Sequence, residues 1–129
     1  MSDKKKVLVV DDEQDVVTFL TALFQDNGYD TVTASNGVEA WQLVGSEKPD
    51  LITLDMSMPE QSGVRTFRDL KAHESYKTIP IIIVTGIGEP MHNFLSRMRN
   101  SPQPEGFVSK PIDKKELLAL AAKLTGQDA

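Results

Sequence analysis

The residues of this 129-residue chain best suited to chemistry each follow directly on a short apolar run. Val7–Val10 leads into Asp11 and Asp12, Leu51–Leu54 into Asp55, Ile79–Val84 into Thr85, and Phe107–Val108 into Ser109 and Lys110. If the runs are parallel strands, their C-terminal ends share one rim of a sheet, where open α/β sheets bind ligands. Three carboxylates, a hydroxyl and an ammonium then converge. Two like unit charges 4 Å apart repel by about 4 kcal/mol at an effective dielectric of 20, so the acids need a counter-charge or must protonate. Oxygen donors alone favour Mg2+, Mn2+ or Ca2+ over zinc or copper, and a site with few carboxylates, waters and a phosphoryl oxygen suits Mg2+ best. With Mg2+ and Lys110 balancing the acids, the rim can accept a dianion, which is the electrostatic basis of phosphoryl transfer. A carboxylate can itself act as nucleophile and form an acyl phosphate, and Asp55, after the central run, is the candidate.

Each residue also has a plainer reading. Asp12 alone would be a helix cap, Thr85 a strand terminus, Asp55 a turn cap and Lys110 a solvated side chain. None of these explains why three acids meet one lysine. His73 and His92 lie in segments away from the rim and read as surface residues.

The elements that must place these groups follow from periodicity. Five apolar runs, the fifth being Thr31–Ala34, alternate with helical segments, the pattern of an α/β domain with a parallel sheet. Val7–Val10, Leu51–Leu54 and Ile79–Val84 are apolar but for Thr53, as strands buried on both faces are. Thr31–Ala34 and Phe107–Val108 suit the sheet edges. That assignment fits the doubly wound order 2-1-3-4-5. Val16, Val17, Leu20, Leu23 and Phe24 form one helix face with Gly28 as its stop. Asn36 with Glu39, and Asp113 with Glu116, have the spacing of reciprocal capping boxes. Val64, Phe67 and Leu70 form a narrow stripe. Met91, Phe94, Leu95 and Met98 repeat the helical pattern after Pro90, as do Leu117, Leu120, Ala121 and Leu124. Asn100–Gly106, with two prolines and a glycine, reads as a surface loop.

Composition narrows the function classes. One domain, residues 1–129 with a core near 5–124, accounts for the length. Fourteen basic and nineteen acidic residues give a net charge of −5, which disfavours direct nucleic-acid binding. The absence of cysteine excludes disulfides, thiolate nucleophiles and cysteine-ligated metals. The run Lys4–Lys6 precedes too few apolar residues for a signal peptide or a membrane span, so a cytoplasmic protein without membrane insertion is expected.

Asp11-Asp12, Asp55 in Asp55-Met56-Ser57-Met58-Pro59 with Gly63 beyond, Thr85-Gly86, and Phe107 three residues before Lys110-Pro111 together resemble the receiver domain of two-component response regulators. The resemblance runs from about Lys5 to Leu124. It implies a flavodoxin-like (βα)5 fold, and phosphorylation of Asp55 by a phosphohistidine on a sensor histidine kinase or histidine phosphotransfer protein. It further implies that Asp12, Asp55 and the Ser57 backbone carbonyl hold Mg2+, with Asp11 acting mainly through water. Lys110 would pair with the phosphoryl group, the Thr85 hydroxyl would turn toward it, and the small Gly86 would let a backbone N–H approach. Phe107 would fill the space Thr85 leaves, passing the change to the outer face for a downstream protein target. Lys110-Pro111 is a candidate cis peptide. One departure stands out: receivers commonly carry Gly-Ala shortly before the switch aromatic, where this chain has Gln103-Pro104. No enzymatic turnover is expected beyond phosphorylation and dephosphorylation of the chain itself, and no segment after Leu124 is expected to form an output module. Two competing functions share part of this pattern. A flavin-binding electron carrier has the same topology, but Asp11-Asp12-Glu13 suits a phosphate cradle badly. A Mg2+-dependent aspartyl-nucleophile phosphohydrolase of the dehalogenase-like class has a second acid two residues after the nucleophile, where Ser57 stands.

Overall fold

The computed structural model describes residues 4–56, 62–86 and 102–126. In chain order the elements are β1 (Lys6–Val10), α1 (Gln14–Asp26), β2 (Asp30–Ala34), α2 (Gly37–Glu47), β3 (Leu51–Leu54), α3 (Ser62–Ala72), β4 (Ile81–Thr85), β5 (Gly106–Ser109) and α4 (Lys114–Thr125). The five strands form one parallel sheet in the order β2-β1-β3-β4-β5, as the apolar runs require. β1, β3 and β4 are buried almost throughout, whereas β2 and β5 are part-exposed edges. The helix expected over Met91–Met98, with His92, lies outside the described residues.

Alternation along the strands sorts the core into two layers. Leu8, Val10, Ile52, Leu54, Ile81 and Ile83 face Ala40 and Val44 of α2 and Phe67 and Leu70 of α3. Val7, Val9, Leu51, Ile82, Val84 and Val108 face Leu20, Leu23 and Phe24 of α1 and Leu117 and Ala121 of α4. The expected helix stripes thus become the two faces of the sandwich.

Several boundaries differ from expectation for local reasons. β4 starts at Ile81, two residues after the predicted Ile79, because Pro80 has no N–H to give a ladder and contributes only its carbonyl, which accepts from Ile52 N–H at 3.0 Å. It also extends to Thr85, which pairs with Ser109. Asn36 caps α2 by accepting from Glu39 N–H at 2.9 Å, and Asp113 caps α4 by accepting from Glu116 N–H at 3.1 Å. The first box is not reciprocal as predicted: the Glu39 carboxylate accepts from the Ser35 N–H at 2.7 Å and hydroxyl at 2.9 Å instead of the Asn36 N–H. Gly28, at φ 90, follows α1 as expected.

The end of the loop at Asn100–Gly106 is tied down by charge. Glu105 N–H donates to the Ile81 carbonyl of β4 at 3.0 Å, and its carboxylate receives the Lys71 ammonium at 2.8 Å on both oxygens and the Ile81 N–H at 2.8 Å. Lys71, on the last turn of α3, is buried and also donates to the carbonyls of Lys77 and Ile79. The departure at Gln103-Pro104 therefore sits beside a polar clamp joining α3, β4 and β5. His73 differs from its surface reading: it is half-buried, stacked on Tyr76 with centroids 3.9 Å apart and edge-on to Trp41.

Candidate functional site

At the C-terminal rim the ladder itself aligns the polar groups. Asp11 N–H donates to Ala34 O, Asp55 N–H to Val10 O and Lys110 N–H to Thr85 O, at 3.1, 3.0 and 2.9 Å. These bonds hold the ends of β2, β1 and β3 in register and those of β4 and β5, and the pairing of β3 with β4 joins the two groups, so side chains 99 positions apart in sequence meet. Asp11 and Asp55 are almost wholly buried, as is Thr85, while Asp12 and Glu13 are exposed. Carboxylate oxygens of Asp11, Asp12, Glu13 and Asp55 lie within 4.8 Å of one another.

Lys110 is the cation of the group. Its Nζ donates to Asp11 Oδ2 and Glu13 Oε1, both at 3.1 Å, and stands 3.8 Å from Asp55 Oδ2, within ion-pair but beyond hydrogen-bond distance. Burial alone would lower the Lys110 pKa, but the bonds to Asp11 and Glu13 and the charge of Asp55 outweigh it and hold the ammonium above its ordinary value. For Asp11 burial is the larger influence and raises the carboxyl despite bonds from Glu13 N–H and Lys110. Ionised Asp11 is thus a carboxylate that a further positive charge would stabilise.

Glu13 is the residue that sequence reasoning missed. It counts among the acids here, so among the described residues four carboxylates face one ammonium where three had been expected. The signal available was its place directly after Asp11-Asp12, but only folding brings Lys110 to it. Nor does Asp12 cap α1: the N-cap position is Glu13, whose N–H is taken by Asp11 Oδ1 at 2.9 Å.

The remaining predicted residues fall as follows. Thr85 ends β4 inside the rim. Gly86 is exposed, and among the described residues nothing stands where its side chain would project. Phe107 is half-buried against the layer containing Ile81 and Ile83, on the side of α2 and α3. The Lys110-Pro111 peptide is cis. Ser57 lies outside the described residues. Gly63, at the start of α3, packs against the backbone of Asp55 and Met56 so closely that a Cβ would collide with the Asp55 carbonyl. Its lack of a side chain lets α3 approach the residue that ends β3.

The donor set fits a hard divalent cation: four carboxylates, two of them exposed to solvent, with no nitrogen or sulfur ligand in the group. Among the described residues no helix is long and apolar enough to cross a membrane.

Comparison with known proteins agrees with this architecture. The family described as "Response regulator receiver domain" matches residues 7–122. The alkaline phosphatase synthesis transcriptional regulatory protein PhoP of Bacillus subtilis is 35% identical over 115 residues, 89% of this chain but only 46% of PhoP, so the chain spans less than half of that regulator. The polar-differentiation response regulator DivK of Brucella anthropi is 34% identical over 108 residues, covering 84% of this chain and 85% of DivK. The high-resolution structure of the chemotaxis response regulator CheY4 of Vibrio cholerae superimposes with a TM-score of 0.80 at 26% identity, over 94% of this chain and 98% of that one. With its sheet order, its acidic rim and a family match across nearly its whole length, the chain belongs to the receiver domains of two-component response regulators.

Proposed function

We propose that this chain is a phosphorylation switch in which Asp55 accepts a phosphoryl group, in the presence of Mg2+, from a phosphohistidine on a histidine kinase or phosphotransfer protein. The observation that carries the reading is the buried Asp55 carboxylate beside Lys110 and within 4.8 Å of three further carboxylates. An Asp55 oxygen attacks phosphorus, the P–N bond to the donor imidazole breaks, and an acyl phosphate forms. Asp12 and Asp55 would hold Mg2+ directly, with the Ser57 carbonyl, and Asp11 through water; the ion would screen the acids from the incoming dianion. Lys110 would neutralise charge on the transferred group and Thr85 would donate its hydroxyl to it, next to the Gly86 backbone. Phe107, packed against the α2–α3 layer, would carry the rearrangement to a protein target.

Residues 5–124 form one receiver core in this reading, and catalysis is confined to phosphorylation and dephosphorylation of Asp55. Membership of the receiver family favours neither the phosphohydrolase nor the flavin carrier. The test is labelling with acetyl phosphate and Mg2+, followed by intact-mass measurement. One phosphoryl group should add to the wild type and none to Asp55→Asn. Labelling of that variant at another residue would refute the assignment.

A further inference from the structure

The Lys110 ammonium forms an ion pair with the proposed phosphoacceptor but donates its hydrogen bonds to two other acids. It is held by Asp11 and Glu13 at 3.1 Å each, with Asp55 at 3.8 Å. The holders differ in kind. Asp11 has a side chain 1% exposed, whereas that of Glu13 is 61% exposed. Solvent can therefore replace Lys110 on Glu13 far more readily than on Asp11.

A second observation points the same way. Glu13 occupies the N-cap position of α1, with extended φ −90 and ψ 112, yet its side chain makes no capping hydrogen bond. A Ser, Thr, Asp or Asn at this position accepts from the first turn of its helix, a role the longer glutamate does not take. Here the carboxylate is turned to Lys110 instead. The result is a closed ring: Glu13 N–H to Asp11 Oδ1, Lys110 Nζ to Asp11 Oδ2, and Lys110 Nζ to Glu13 Oε1.

We propose that Glu13 is a positioning residue that latches Lys110 in the unphosphorylated chain, so that Lys110 reaches a phosphoryl group on Asp55 by giving up Glu13. The proposal rests on the phosphoacceptor reading above. The latch sets a threshold on occupancy of Asp55: the bond to Glu13 must be exchanged for one to the phosphoryl group, after which Glu13 turns to water. Since the bond is solvent-exposed, its removal is worth a factor of about two to five in affinity for a phosphoryl analogue.

A double-mutant cycle tests it with beryllofluoride titrated at saturating Mg2+ and followed by 1H–15N NMR. Glu13→Gln should tighten binding about two- to fivefold in the Lys110 background and leave it unchanged in the Lys110→Met background. Weaker binding by Glu13→Gln would show that Glu13 serves the metal and would overturn the latch. An equal gain in both backgrounds would show a bulk charge effect and overturn it as well. Should Lys110→Met fail to fold or to bind beryllofluoride, the Lys110 ammonium 15N signal decides: Glu13→Gln should shift it in the ligand-free chain, and the two proteins should coincide once beryllofluoride is bound. A signal insensitive to Glu13→Gln in the ligand-free chain would refute the contact. No binding by the wild type would instead overturn the phosphoacceptor reading, and the latch with it.

Discussion

Removing Glu105 should harm this protein more than removing Lys71, although the two form one ion pair. The Lys71 side chain is only 4% exposed and its ammonium meets both Glu105 oxygens at 2.8 Å. Glu105→Ala leaves that charge buried with the Lys77 and Ile79 carbonyls at 3.3 Å as its remaining acceptors. It also strips the Ile81 N–H of its 2.8 Å acceptor at the start of β4. Breaking a buried pair by deleting one partner costs about 3–5 kcal/mol. The Glu105 side chain is 35% exposed, so water screens the pair and the expected loss falls to about 2–3 kcal/mol. Lys71→Met is the gentler change. Methionine fills similar space without charge, and Glu105 can reach solvent while still accepting from Ile81 N–H, so the cost should be about 1 kcal/mol or less. Urea denaturation monitored by circular dichroism gives both values. By thermal melting Glu105→Ala should lose roughly 8–12 °C, at about 4 °C per kcal/mol for a domain of this size. A Lys71→Met variant as unstable as Glu105→Ala, or a Glu105→Ala loss below about 1 kcal/mol, would refute the reasoning.

Three further outcomes follow from other contacts. Gly63→Ala should lose about 2 kcal/mol or more by equilibrium unfolding and slow acetyl phosphate labelling, since its Cβ would strike the Asp55 backbone; wild-type stability and labelling would refute the packing. Thr53→Val should be neutral or stabilising by up to about 1 kcal/mol, because the Thr53 hydroxyl is buried without a hydrogen-bond partner; a clear loss on urea unfolding would reveal a partner. The Glu39 carboxyl is held below its ordinary pKa of 4.5 by the Ser35 N–H and hydroxyl. A depressed carboxyl contributes stability that is present above its unfolded pKa and lost as pH falls through the folded value. Glu39→Gln should therefore flatten the acid limb of the stability profile below about pH 4.5 and leave the shape above it unchanged, as acid titration of unfolding midpoints will show.

Much of the fold was legible because burial leaves its mark on composition. Largely apolar runs with polar stops located β1, β3 and β4, and the threonine-rich and short runs correctly became edges. Pro80 misplaced the start of β4 because periodicity registers its apolar neighbours but not its missing N–H. His73 is more buried than its surface reading because Trp41, brought from α2, covers it beside its local stacking partner Tyr76.

For the site, strand-end positions in the sequence identified Asp11, Asp12, Asp55, Thr85 and Lys110, since parallel strands have one C-terminal rim by geometry alone. Tertiary structure decided how the charges divide there. Nothing in local sequence tells a lysine 97 positions away to spend a hydrogen bond on Glu13, nor a glutamate after two prolines to pair with a lysine at the end of α3. Such pairings depend on which side chains the packed layers bring within reach, and on which of them burial deprives of water. The residue types set what chemistry the rim can hold; packing set which acid competes for its single ammonium.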